Sequence, residues 1–193
     1  MKKIIIYIIT LFLLTGCYNY REIDSLGNVT SIIVHYEDDK FNLIIEIAET
    51  TEEGNVSYLI HTSGLTFERA INNANQNYNK ILYFANLDLL LLTGDGLNKI
   101  NSVIRHINRD LHFSFNFNLA VTNEPIDLTE YVEEYDAIFG TFIRQLVNNN
   151  LNDRYNITYL QFLNDFINNN RIRLPVLNIH DEQITFNLIE VQI

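Results

Sequence analysis

The chain contains a single cysteine, Cys17, which follows the apolar run Ile4–Leu14 and divides the sequence into two unequal parts. The run has 11 residues, whereas a membrane-spanning helix needs roughly 20, so it is too short to form a stable span. With Lys2 and Lys3 before it, the run is typical of the apolar core of a secretion signal. Because there is no second cysteine, the exported part must fold by packing alone, without disulfides.

The residues just before Cys17 indicate which kind of signal this is. Leu14 stands three positions before the cysteine and the small residue Gly16 directly before it, which is the pattern of a lipobox. We therefore expect residues 1–16 to be a lipoprotein signal peptide and the thiol of Cys17 to carry diacylglycerol. Two acyl chains hold a protein firmly at a bilayer, so we expect the mature chain on the outer face of the cytoplasmic membrane. The alternative, an unmodified cysteine after a plain signal, would leave an oxidisable thiol on an exported protein.

The overall composition is that of an acidic folded domain. Hydrophobic residues make up 47% of the chain, enough for a sizeable core, and the formal net charge is -11. A surface of this sign repels nucleic acid and anionic lipid headgroups. We therefore expect no nucleic-acid partner, and we expect the lipid on Cys17, rather than a basic patch, to hold the protein at the membrane.

Hydrophobic periodicity predicts the order of elements in the first part of the fold. The β-branched runs Val29–Tyr36 and Phe41–Ala48 flank an acidic turn and predict a hairpin, with a shorter strand near residues 56–61. A helical stripe over residues 64–78 follows, with Ser63 able to cap it.

The next segments continue the alternation of strands and helices. Residues 87–92 are nearly all apolar, as in a strand covered on both faces. Asp95 is the expected cap of a second helix. Phe113–Val121 alternates apolar and polar residues, which predicts a strand with one buried and one wet face.

The last part of the chain reads as two helices and two strands. Residues 135–147 carry a helical stripe, and Thr158 with Gln161 forms a capping-box pair that starts another helix. Residues 176–179 and 184–193 read as strands.

These elements predict an α+β fold. An antiparallel hairpin and a strand-helix-strand-helix-strand unit form one mixed sheet with helices packed on it, followed by a small helical and β lobe. We expect a leader at 17–28, an amino-terminal α/β domain at 29–123, and at 124–193 the start of a second lobe. Because the last strand runs to the final residue, we expect this lobe to be truncated.

The sequence lacks the patterns that usually carry catalysis or a metal. The five histidines are scattered. Glu133, Glu134 and Asp136 lack the glycine-bearing pattern of a Ca²⁺ loop, so a solvated helix start is favoured. The turn Gly94–Gly96 lacks the further glycine and the lysine of phosphate loops. Core packing, rather than stacking on a ligand, is favoured for Phe113–Phe117. We therefore expect no enzyme, no cofactor and no metal.

The segment Cys17–Gly27 resembles the opening of the Ger(x)C spore germination lipoproteins, the C subunits of germinant receptors. The family pattern has Arg-Glu-Ile and then Leu with a small residue shortly after the lipidated cysteine. Tyr18 stands where the family usually has tryptophan, and Asn19-Tyr20 departs from its acidic-basic pair. Five residues match: Arg21, Glu22, Ile23, Leu26 and Gly27.

Further segments resemble the family in the same order. They are the glycine-led helix start Ser63–Ala70, the stretch Lys80–Leu87, the helix end Ile104–Asp110 and the pair Leu174-Pro175. The resemblance covers nearly all of this chain but only the amino-terminal half of a family member.

The resemblance implies a lipid-anchored, non-enzymatic subunit that acts in nutrient-triggered spore germination with integral membrane subunits of A and B type. It implies a location on the outer face of the spore inner membrane, and structural or partner contacts for the five matched residues. It leaves open whether the chain itself binds the nutrient. A solute-binding lipoprotein of a transporter is the alternative, although such proteins usually have two lobes and are longer. A hydrolase of the cell envelope is a third hypothesis.

Overall fold

The computed structural model describes residues 25–51, 54–110, 112–123, 126, 128, 138–150, 153–168, 171–180 and 183–191. Eight strands and four α-helices are found there. The strands are β1 (Leu26–Glu37), β2 (Lys40–Thr51), β3 (Gly54–Gly64), β4 (Ile81–Tyr83), β5 (Leu89–Gly94), β6 (Asn118–Thr122), β7 (Ile172–His180) and β8 (Gln183–Val191). The helices are α1 (Phe67–Asn77), α2 (Ile100–Ile107), α3 (Phe139–Asn150) and α4 (Tyr159–Ile167).

All eight strands belong to one mixed sheet in the order β3-β2-β1-β5-β6-β7-β8, with β4 beside the first residues of β1. The centre of the sheet is parallel, whereas the pairs β1–β2, β2–β3 and β7–β8 are antiparallel. The predicted α+β fold with one mixed sheet is therefore confirmed. β7 joins β6 through the pair Val121↔Val176, and the domain division at 123/124 stays a prediction.

The hairpin of β1 and β2 is formed by a tight acidic turn, as expected. Asp38 and Asp39 have φ angles of 51° and 58°, which two-residue hairpin turns of type I′ require at both central positions. Aspartate tolerates this left-handed backbone better than most residues. β1 starts at Leu26 rather than at Val29, because Leu26–Asn28 gain a parallel partner in β4.

Helices cover both faces of the sheet. We call the face that packs on α1, α2 and α4 the first face. The opposite face, which packs on α3, is the second face. β5 lies between them, and each residue of Leu89–Leu92 is at most 1% exposed. This confirms the expectation of a strand covered on both faces.

β6 is shorter than the alternation of Phe113–Val121 predicts. It spans only Asn118–Thr122, and all five residues are buried. The predicted wet face is wrong because β6 has strands on both edges and helices over both faces. The preceding rings pack irregularly instead: Phe113 stacks on Phe84 at 4.4 Å, and Phe117 on Tyr159 at 4.9 Å between centroids.

Two of the three predicted helix caps are wrong. Ser63 lies inside β3, which continues to Gly64, and the N-cap of α1 is Thr66. The Asp95 carboxylate accepts from the Asn98 side chain at 3.1 Å and caps no backbone amide of α2. The capping box of Thr158 and Gln161 is confirmed.

A fully buried carboxylate, Glu46 of β2, joins the sheet to α3. The β-bulge between Val29 and Ser31 places an extra residue, Thr30, beside it. The hydroxyls of Thr30 and Ser31 both donate to Glu46 Oε2 at 2.9 Å, and Ser57 donates to Oε1 at 3.0 Å.

The same carboxylate accepts the first two amides of α3. Phe139 N–H donates at 2.6 Å and Gly140 N–H at 2.9 Å. These amides have no partner within the helix, and the positive end of the helix dipole lies there, so a carboxylate is well placed. A Cβ at position 140 would lie 2.4 Å from the Thr30 carbonyl oxygen, so only glycine fits this close approach.

A second contact fixes α3 farther along its length. Arg144 Nη1 donates to Asp88 Oδ1 at 2.5 Å, and the Thr141 hydroxyl donates to Asp88 Oδ2 at 2.8 Å. Asp88 itself is held by its backbone, because its N–H donates to the Thr30 carbonyl at 2.9 Å. Thr30 therefore takes part in both attachments of α3.

We predict that Glu46→Gln lowers the free energy of unfolding by about 3 kcal/mol. The five groups around Glu46 are all donors, so the amide nitrogen of glutamine would face donors and leave some of them unsatisfied. Urea unfolding measures the effect. Glu190→Gln is the matched control: its exposed ion pair should contribute no more than about 1 kcal/mol. Equal losses in the two variants would contradict the buried network.

Candidate functional site

The residues that matched the germination lipoproteins lie at and before the start of β1. Cys17, Arg21, Glu22 and Ile23 are outside the described residues. Leu26 and Gly27 begin β1, where they pair in parallel with Ile81 and Leu82 of β4.

Gly27 makes room for an aromatic ring. A Cβ at position 27 would lie 2.4 Å from Tyr78 Cε1, so the ring packs directly on the glycine backbone. Tyr78 OH donates to Glu49 Oε1 at 2.6 Å, and Lys80 Nζ donates to the same oxygen at 2.7 Å. The end of α1 is thereby tied to β2 at the point where the leader joins the sheet.

The electrostatics of this cluster follow from its hydrogen bonds. Those from Lys80 and then Tyr78 lower the pKa of Glu49. Burial, followed by the hydrogen bond to Glu49, raises the pKa of Tyr78. The phenol therefore stays a donor and the carboxylate stays ionised at neutral pH. The sequence motif contained Gly27, but nothing local to it indicated Tyr78, which is 51 positions away in the chain.

A groove of about 650 Å³ crosses the second face beside the edge strand β3. We call it the histidine groove and define it by His35, Asn42, Ile44, His61, Ser63 and Thr93. Strand register places Thr93, His35, Asn42 and Ser63 in one row across β5, β1, β2 and β3. In the next row, Ile33, Ile44 and His61 lie side by side. In the sequence, His35 and His61 are far apart and showed no common pattern. Only the strand register brings them into one groove.

His35 is held in a fixed orientation in this groove. Thr93 Oγ1 lies 2.7 Å from its Nδ1 and 3.3 Å from the Val34 carbonyl oxygen. The threonine hydroxyl is therefore within hydrogen-bonding distance of both the ring and that carbonyl, and the tautomer of His35 sets which partner donates in the contact with the ring. Glu37 Oε2 lies 3.3 Å from the other ring nitrogen.

A second groove, of about 630 Å³, lies between α1 and the end of α2. Its lining mixes the cations Arg105 and Arg109 with the anions Glu68 and Asp110. Asp110 accepts from the backbone and the ring of His112, at 2.9 and 2.8 Å. This balance of charge indicates a solvated helix end rather than a site for one charged ligand.

His106 lies at the wall of the second groove. Among the described residues, its Nε2 is the one buried side-chain nitrogen or oxygen atom without a hydrogen-bond partner. Its ring makes edge contacts with Phe67 and Phe113. Burial lowers the pKa of His106, and the nearby carboxylates of Asp110 and Glu68 oppose this effect. The imidazole therefore packs as a neutral aromatic ring.

Within the described residues, no helix is long and apolar enough to cross a bilayer. No group of three or more potential metal ligands comes together in that part of the chain either. Glu133, Glu134 and Asp136 lie outside it.

The family described as the spore germination protein N-terminal domain matches residues 19–179. The chain belongs to this family, the N-terminal part of the Ger(x)C proteins. This confirms the resemblance found from the motifs. Searches of curated proteins and of solved structures gave no match to the chain.

The germination-protein match extends from just after Cys17 to the penultimate residue of β7 and so includes every contact described above except those of β8. It also includes the glycine-led start of α1. A Cβ at Gly64 would lie 2.5 Å from the backbone nitrogen of Ala70. Glycine at this family position therefore lets the end of β3 lie against the first turn of α1.

We predict that Gly27→Ala lowers the free energy of unfolding by about 1–3 kcal/mol, because the new methyl displaces the ring of Tyr78. In a Tyr78→Ala background the same change should have little effect, since the obstructing ring is gone. A double-mutant cycle by chemical unfolding measures this coupling. Additive losses would mean that Gly27 is required for another reason.

We predict that His106 makes the domain less stable in mild acid. Its pKa in the folded chain is below the value of an exposed imidazole, so below about pH 6.5 the unfolded chain binds a proton that the folded chain resists. Stability should therefore fall as the pH drops through this range. Urea unfolding at several pH values should show a flatter profile for His106→Phe than for wild type. Parallel profiles for wild type and His106→Phe would contradict this origin.

Proposed function

We propose that the chain is the lipid-anchored, non-enzymatic C subunit of a spore germinant receptor, or its amino-terminal part. The observation that carries this proposal is the position of the family match, which begins two residues after the lipobox cysteine. The family match thus begins where the proposed order of signal, lipidated cysteine and germination domain requires it. The match favours this role over a solute-binding lipoprotein of a transporter.

The proposed anchor would keep the domain close to the membrane. Eight residues, Tyr18–Ser25, separate Cys17 from β1, and a fully extended segment of this length reaches at most about 30 Å. The leader joins the sheet at the amino end of β1, beside β4 and the Tyr78–Glu49–Lys80 cluster. In our proposal this end of the sheet faces the bilayer of the spore inner membrane.

We further propose that integral membrane subunits of A and B type contact the domain from this side. The supporting feature is exposed apolar surface near the leader: Ile81 of β4 is 46% exposed and Tyr58 of β3 is 48% exposed. Burying these two side chains against a membrane-embedded partner would remove apolar area from water, which is favourable. Such a role requires binding surfaces and no reacting group.

We predict that Cys17→Ala releases the protein from the membrane fraction and slows germination in at least one nutrient by tenfold or more. Loss of the diacylglycerol removes the acyl chains that provide attachment. Fractionation with immunoblotting and the optical-density loss of spores measure the two effects. Gly16→Ala is the matched control, because a small residue still precedes the cysteine and processing should continue.

Two outcomes would count against the proposal. One is a Cys17→Ala protein that stays in the membrane fraction, which would contradict lipid anchoring. The other is unchanged germination across a broad nutrient panel despite loss of attachment, which would contradict the receptor role.

A further inference from the structure

We propose that the histidine groove binds one small, uncharged, hydrogen-bonding solute, of the size and polarity of a monosaccharide or a nucleoside. This inference deepens the proposed receptor function and rests on it for its biological meaning. The binding itself is a property of the groove and can be measured on the isolated chain.

The groove has the position and size of a ligand site. Thr93 and His35 lie at the carboxyl ends of the parallel neighbours β5 and β1, and ligands of open α/β sheets bind beyond this end of the strands. Its volume of about 650 Å³ falls within the usual range for pockets that hold small molecules.

Polar side chains converge on the groove with hydrogen-bonding capacity to spare. Asn42 and Ser63 belong to the polar row, and His61 stands beside Ile44 in the next row. The described residues supply no hydrogen-bond partner for these three side chains. Around the edge strand β3 the lining continues to α1 of the first face, where Asn73 is fixed by its bond to the Ser63 carbonyl at 2.8 Å, with Gln76 and Asn77 beside it.

The lining selects against charged solutes. Among its described residues there is no lysine, arginine, aspartate or glutamate. The carboxylate of Glu37 lies 3.3 Å from Nε2 of His35, but its side chain is 68% exposed and is not part of the lining. A carboxylate or ammonium group entering the groove would lose hydration without meeting a counter-charge on any described residue of the lining, which is costly. Hydroxyls and ring nitrogens exchange water for amide, imidazole and hydroxyl partners at little cost.

Apolar side chains complete the match to such a solute. Ile33 and Ile44 form an apolar floor beside the polar row. Sugars and nucleosides combine polar edges with an apolar face, so one face can lie on the isoleucines while hydroxyls reach Asn42 and His61. Pockets with mostly apolar walls and a few placed polar groups are typical of small-molecule sites.

The groove also lies far from the proposed anchor. His35 is nine residues along β1 from Leu26, a distance of roughly 30 Å along a strand. A solute arriving from outside the membrane would reach the groove without crossing the lipid headgroups.

Ligand-observed NMR on the full lipidated chain in detergent micelles tests the proposal. The uncharged probes are D-glucose, D-ribose, glycerol and adenosine, and the charged probes are glycine and succinate. We expect saturable binding of at least one uncharged probe and of neither charged probe. In protein-observed spectra of the same sample, the ring signals of His35 and His61 should shift on binding, while those of His106 and His112 stay in place.

Substitutions assign the binding to the groove. Asn42→Ala and His61→Ala should each weaken binding about 2- to 10-fold, the usual effect of removing one neutral hydrogen bond. His112→Ala is the matched control and should bind as wild type. Circular dichroism melting of each variant shows that the fold is kept, which is expected because His61 and Asn42 are not fully buried.

Three outcomes would overturn the proposal: no saturable binding of any uncharged probe, equal binding of charged probes, or binding that survives both groove substitutions. These failures are distinct from failure of the receptor role. Cys17→Ala tests attachment and germination without changing the groove, and the NMR experiment needs neither membrane partner nor spore.

Discussion

The hydrogen-bonded carboxylate of Glu46 is the interaction on which the second face of the sheet depends. An ionised group with no exposed surface is costly unless donors surround it, and here two amides of α3 and three hydroxyls do so. Two features of the backbone bring these donors into place. The bulge at Thr30 adds one hydroxyl, and Gly140 lets α3 approach the sheet closely enough for its amides to bond the carboxylate. The position of α3 is therefore set by one polar residue in an otherwise apolar strand.

The placement of α3 also explains why a groove remains. Glu46 and Asp88 attach the helix over β1 and β5, so it covers the middle of the second face. The part formed by the ends of β1 and β2 and by β3 is left to Asn42, Ile44 and His61, which are partly or fully exposed in the described structure. A helix held by an apolar stripe alone could slide toward β3, whereas a helix whose first amides bond one carboxylate cannot.

Local features of the fold were predictable from the sequence and long-range ones were not. The acidic turn of the hairpin and the capping box of Thr158 and Gln161 depend on residues three or four positions apart, and both are confirmed. Ser63 failed as a cap because pairing with β2 extends β3 past it. Glu46 gave no signal, since its α3 partners are 93 and 94 residues away. For the site, Gly27 was found by its motif, but strand register alone places His61 in the same groove as His35.

The two ends of β1 therefore have different surroundings, and β1 itself connects them. Its first residues pair with β4 where the leader joins, and its last residues pair with β5 at the groove. β2 pairs with it along nearly its whole length. Because both edges of β1 are hydrogen-bonded, bending the strand would break ladder bonds at several positions. A solute bound at His61 and Asn42 would therefore alter the local surface of β2 and β3 more readily than the geometry at Gly27. A partner sensing such a solute would need to contact the edge strand β3, whose residue Tyr58 already faces solvent.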